Sequence, residues 1–92
     1  PQHFAAIRAA GFKTVRIVLR AFAFMDAANE LPESWFRTLD WAVAGARGAG
    51  LAVILDEHDY RFCGQDAAGC RTKLVAFWRQ VAEHYRDAPD DV

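Results

Sequence analysis

The 92-residue chain carries eleven Lys and Arg against twelve Asp and Glu, a formal net charge of −1, with no local cluster of basic side chains. That balance excludes the basic footprint of a nucleic-acid binder. No apolar run approaches the roughly 20 residues a bilayer-spanning helix needs, so no membrane is expected as a partner either, and any secretory leader lies upstream of Pro1.

The elements alternate along the chain. A first helix is predicted from Gln2 to Ala10, with Phe4 and Ile7 on one face and Gly11 as its stop. TVRIVL, Thr14 to Leu19, reads as a strand with Val15, Ile17 and Leu19 on one face and Thr14, Arg16 and Val18 on the other. A loop from Arg20 to Leu31 carries Phe22, Phe24 and Met25. Pro32, Glu33 and Ser34 open a second helix that runs to Arg47 and stops at Gly48 and Gly50. The next segment, GLAVILDEHDY from Gly50 to Tyr60, has five uninterrupted apolar residues running into four ionisable ones. It reads as a strand buried on both faces. A polar loop with two cysteines follows, then a third helix from Arg71 to Tyr85. Its Leu74, Phe77, Trp78, Val81, Ala82 and Tyr85 keep helical spacing. Pro89 ends that unit and Val92 is expected to start another strand.

Arg8-Ala9-Ala10-Gly11-Phe12 is echoed by Arg47-Gly48-Ala49-Gly50-Leu51 at an offset of 39 residues. In both places a helix ends on Gly and a strand follows. Helix–strand units repeated at this length imply α/β architecture, either a barrel or a doubly wound sheet. Two parallel strands cannot close a core, so the expected fold is an incomplete segment of a (β/α)8 barrel. It supplies helix 1, strand 2, helix 2, strand 3 and helix 3, with no second domain, and is not expected to fold stably alone.

The charged end of the second strand is the first candidate site, because sites in parallel sheets assemble at the carboxyl ends of strands. Alternation splits its charges into Asp56 with His58 and Glu57 with Asp59. That division argues against one four-ligand metal cluster. Arg16 is the second oddity, a guanidinium in mid-strand that calls for a carboxylate partner, either for structure or for chemistry. Glycoside chemistry by paired carboxylates needs two groups roughly 5–9.5 Å apart. Asp56 or Glu57 could be one, and no residue here obviously supplies the other. Phe22, Phe24, Tyr60 and Phe62 are either stacking platforms for sugars or local packing. Trp35, Trp41 and Trp78 are assigned to helix core or surface, and His3 and His84 to solvent.

Cys63 and Cys70 lie in FCGQDAAGC. A structural disulfide across this loop is worth roughly 2–3 kcal/mol in the chain-entropy model and fits an oxidising compartment, hence secretion. Two free thiols in a cytosolic protein are the alternative. A zinc site would need further ligands, with His58 and carboxylates the only neighbours.

The collinear order FAAIRAAGFKTVRIVLR, AGLAVILDEHDY and LVAFWRQVAEHYRDAPDDV resembles the N-terminal half of glycoside hydrolase family 5, the cellulase-like group, over essentially the whole chain. The resemblance implies a retaining endo-glycanase, monomeric at full length and secreted or periplasmic. Its partner would be a β-linked polysaccharide and it would need no cofactor or metal. Arg16 would match the arginine supporting the nucleophile. His58, Asp59 and Tyr60 would line the substrate-binding site, with Asp56 and the Cys63–Cys70 disulfide structural. The catalytic glutamates, one following an Asn at the end of the fourth strand and one after the seventh, would lie beyond Val92. The fragment alone would then be inactive. Two positions depart from the family pattern. Val18 stands where Pro is frequent, and Asp59 stands where a second His or an Asn is frequent. Both bear on subfamily and substrate. Two other readings are a metal-dependent barrel hydrolase using Asp56 and His58, and a non-catalytic carbohydrate-binding barrel.

Overall fold

The computed structural model describes residues 2–92. Helix α1 (Gln2–Ala9) leads to strand β1 (Thr14–Leu19), a 3-10 turn at Phe22–Phe24 and helix α2 (Glu33–Gly48). Strand β2 (Ala52–Glu57), a short helix α3 (Tyr60–Gln65) and helix α4 (Ala67–His84) complete the order. The two strands pair in parallel, with Thr14 opposite Ala52 and Leu19 opposite Glu57.

The echo between the two helix ends has a structural cause. Gly11 and Gly50 both have positive φ, +100° and +85°. Gly11 N–H donates to Arg8 O and Phe12 N–H to Ile7 O; Gly50 N–H donates to Arg47 O and Leu51 N–H to Ala46 O. Both are Schellman closures, in which a left-handed residue lets two orphaned carbonyls find donors. Each closure turns the chain into a strand, so two similar helix exits produce two parallel strands.

Two apolar clusters cover one side of the sheet. Leu39, Val43 and Ala46 of α2 pack with Leu51 and Val53, and Phe4 and Ile7 of α1 lean on them. The α1–α2 approach is close, since a Cβ on Gly45 would come within 3.2 Å of the Phe4 ring. The second cluster joins Ala21, Phe22 and Leu31 to Cys70, Phe77 and Val81. At its centre Phe77, with no exposed surface, meets the Trp35 ring edge-on at 5.9 Å. Asp40 of α2 ties the helices together at their polar margin. It accepts from the Tyr85 hydroxyl at 2.6 Å and pairs with His84 Nε2 at 2.8 Å. Burial, and then the Asp40 carboxylate, push the Tyr85 phenol upward. His84, read from sequence as solvent-facing, is exposed and also paired with Asp40.

Three expectations need correction. The β2 strand is covered on one face only: Val53 is 3 % exposed and Ile54 53 %. A two-stranded sheet with its helices packed on one side leaves the Val18 and Ile54 face open. The cysteine segment is helical, not loop. Helix α4 begins at Ala67, four residues before Arg71, because the Asp66 side chain accepts from Gly69 N–H at 2.9 Å and caps it there. Cys63 on α3 and Cys70 on α4 are joined, with Cα atoms 4.8 Å apart. Among the described residues no helix is long and apolar enough to cross a membrane.

Candidate active-site mouth

Both strands end at the same level. His58 N–H donates to Leu19 O at 2.7 Å, the last rung between them. Beyond it the two chains diverge, β1 into the loop of Arg20 to Phe24 and β2 into α3. Between them lies a small hollow of about 120 Å³ lined by Arg20, His58, Asp59, Tyr60, Arg61 and Phe62. The His58 and Tyr60 rings are tilted at 5.5 Å, and the Arg20 guanidinium carbon lies 6.0 Å from the Tyr60 ring centre, within cation–π reach. His58 and Tyr60 are exposed, so an aromatic face, an imidazole and two guanidinium groups are open to a polar ligand. Larger grooves run along the flanks of the sheet. One of about 370 Å³ lies against Ile17, Trp35 and Leu39, and one of about 780 Å³ lies beside Ile54, Trp78 and Val92. Their predominantly apolar linings mark unfilled packing space more than a chemical site.

Of the residues singled out from sequence, His58, Asp59 and Tyr60 come together at the hollow. Arg16 and Asp56 do not line it. They pair with each other on the open face of the sheet, Nε to Oδ2 at 3.4 Å. Among the described residues no group of three or more His, Cys, Asp or Glu side chains converges to hold a metal.

Sequence reasoning missed what Glu57 does. Ala21 and Phe22 lie in the core just past the last rung of the β ladder, and their backbone N–H groups are taken by side chains. Glu57 Oε2 accepts from Ala21 and Asp59 Oδ2 from Phe22, each at 3.2 Å. Glu57 Oε1 is buried without a partner. Burial, and then the neighbouring Asp59 carboxyl, push Glu57 up to about 8, against the lowering effect of the Ala21 N–H. The usable signal was the alternation itself, which puts Glu57 and Asp59 on one side. What it could not show was that the partners lie 36 and 37 residues earlier.

Comparison with known proteins places this geometry. The family model for cellulase (glycosyl hydrolase family 5) matches residues 1–92. A xyloglucan-specific endo-beta-1,4-glucanase from Bacteroides ovatus is 36% identical over 94 residues, covering 95% of this chain and 19% of that protein. Endoglucanase Cel5A from the hyperthermophile Thermotoga maritima superposes with a TM-score of 0.90 at 30% identity, over 98% of this chain and 30% of that one. The cellulose synthase subunit Z of Clostridioides difficile gives 0.90 at 28% identity, again over 98% and 30%. The chain thus spans 19% to 30% of the length of these relatives. Its helices and parallel strand pair are a segment of the (β/α)8 barrel that the endoglucanases share, with the strand ends that carry His58 and Arg20 at the barrel's carboxyl-terminal mouth. The chain belongs to glycosyl hydrolase family 5.

Proposed function

We propose that these 92 residues form one part of the catalytic barrel of a retaining endo-glycanase that cleaves β-linked polysaccharide. One observation carries this reading: the family match runs the full length of the chain and coincides with a TM-score of 0.90 to an endoglucanase. The B. ovatus relative is named for xyloglucan, and T. maritima Cel5A structures hold cellobiose and mannotriose. These names support a β-1,4-linked glycan as the substrate class.

In this reading His58 and Tyr60 contact the sugar at the mouth, the imidazole by hydrogen bonds and the phenol ring by stacking. Asp59 lines the same hollow while one of its oxygens holds the Phe22 N–H. Arg16 supports the nucleophile by hydrogen bonding, and Asp56 orients it. A retaining reaction needs two carboxyl groups roughly 5–5.5 Å apart, one as acid/base and one as nucleophile. Both are glutamates outside these 92 residues, so the segment alone is inactive. The segment and those glutamates belong to one barrel domain in this reading. The Cys63–Cys70 disulfide supports a secreted or periplasmic protein. The intact barrel acts as a monomer in this reading.

The test is reducing-sugar release from carboxymethylcellulose, xyloglucan and mannan. The intact protein should hydrolyse at least one of them, with retained anomeric configuration in the first product by proton NMR, and the isolated segment none. Turnover by the segment itself, or no hydrolysis of any β-glycan by the intact protein, overturns the reading.

A further inference from the structure

We propose that Glu57 and Asp59 are positioning residues, a carboxyl pair sharing one proton that grips the loop after β1 and thereby sets Arg20 over Tyr60 in the hollow that His58 also lines. The inference rests on the reading of this mouth as a glycan-binding site, and extends it to two residues that need not touch the sugar.

The geometry carries it. Arg20 sits between two anchored neighbours: Leu19, whose carbonyl accepts from His58, and Ala21, whose N–H is held by Glu57. Ala21 is fully buried and Phe22 is 6 % exposed, so little water reaches their N–H groups and each needs an acceptor. One strand end supplies both, through side chains two residues apart. The grip continues into α3, because Phe22 meets the Phe62 ring edge-on at 5.5 Å. Loop and helix are the two walls of the hollow, and Arg20 and Tyr60 face each other across it.

Two ionised carboxylates side by side would repel and leave Glu57 Oε1 buried without a donor. One shared proton removes the repulsion and turns the contact into a hydrogen bond, which is the direction in which Asp59 pushes Glu57. Glu57→Gln then copies the protonated state, since the amide N–H₂ donates where the shared proton stood and its carbonyl still accepts from Ala21.

The test uses the intact protein and two readouts. Hydrogen exchange at the Ala21 and Phe22 amides reports the grip itself, independently of activity. Glu57→Gln should leave their protection and the KM for a soluble β-glucan unchanged. Glu57→Ala should cut protection about tenfold or more, as expected when a local opening becomes easier. It should also raise KM about tenfold with kcat little altered, the scale of having to order a side chain on binding. If Glu57→Ala does not fold, Asp59→Ala tests the Phe22 half of the grip by the same exchange measurement. Protection lost equally in Glu57→Gln and Glu57→Ala overturns the shared proton, and protection unchanged in both alanine variants overturns the grip. An intact protein without glycanase activity overturns the proposed function instead, and the amide protection still decides the positioning role.

Discussion

Arg16 and Asp56 meet on the open face of the sheet, Nε to Oδ2 at 3.4 Å, across a diagonal in which Arg16 is in register with Ile54. The guanidinium side chain is 67% exposed and the carboxylate 31%, so the pair contributes at most about 1 kcal/mol to stability. Stability therefore does not account for a guanidinium in mid-strand. The direction it points does, because this face is the interior of the barrel to which the segment belongs.

Arg16→Ala in the intact protein should lower kcat on β-glucan about 100-fold or more, the scale of removing one fixed donor from a reacting carboxylate. KM should move little and the denaturation midpoint should barely shift. Arg16→Lys should recover only part of the rate, since a compact ammonium lacks the planar, multi-donor shape of a guanidinium. Steady-state kinetics and urea melts on the same samples check this. Equal loss of stability and activity would return Arg16 to a structural role.

Glu57 makes stability depend on pH in a defined direction. Its folded value of about 8 lies above the unfolded carboxyl value of 4.5, so the native state binds the proton more tightly. The contribution is complete below about pH 4.5, falls as the pH rises from there to about 8, and is absent above that. Asp59 is the ionisable group that acts on Glu57 and it is present in both proteins, so the informative quantity is the difference between wild type and Glu57→Gln. Urea midpoints of the two should diverge steadily between pH 4.5 and 8, with the wild type losing stability as pH rises. Parallel curves would show that Glu57 ionises in the folded state as it does in the unfolded one.

The strands and the long helices were legible because their signals are local. Alternation in TVRIVL, the apolar run before Asp56, and glycines at left-handed exits each need only a few neighbouring residues to act. Helix α3 was not legible. Tyr, Phe, Cys and Gly carry little helical preference, and YRFCGQ becomes a turn of helix only with Phe62 packed on Phe22 and Cys63 bonded to Cys70. The exposed Ile54 face was misjudged for the opposite reason: an apolar run encodes burial in the whole barrel, and this chain spans about 30% of its endoglucanase neighbours. At the site, His58 and Tyr60 could be placed from the strand end, whereas the partners of Glu57 and Asp59 are backbone amides on another element, which carry no mark in the sequence.

Removing the disulfide should loosen α3 before anything else. Cys63→Ser with Cys70→Ser is expected to cost about 2–3 kcal/mol, the worth of a short closed loop in the unfolded chain. Because Phe62 is next to Cys63 and packs on Phe22, the effect should reach the mouth as a raised KM. Denaturation of the intact protein with and without dithiothreitol measures the first, and kinetics under the same conditions the second. A wild-type midpoint insensitive to reductant, with the thiols shown to be free, would remove the disulfide from the stability of the fold.

The start of α4 gives a prediction in which two effects of similar size oppose each other. Asp66 caps the helix through Gly69 N–H, and a Cβ added at Gly69 would collide with that same carboxylate. Gly69→Ala therefore drives the Asp66 side chain off its cap, a loss of about 1 kcal/mol. The same substitution gains up to about 1 kcal/mol of helix propensity, less near a helix end. The net change should be close to zero. Asp66→Ala alone loses the cap with no compensation and should cost about 1 kcal/mol. In the Asp66→Ala background nothing remains to collide with, so Gly69→Ala should then be stabilising. The four proteins of this double-mutant cycle, compared by urea denaturation, should show a coupling of about 1 kcal/mol. Simple additivity would mean that the helix starts at Ala67 for some reason other than this cap.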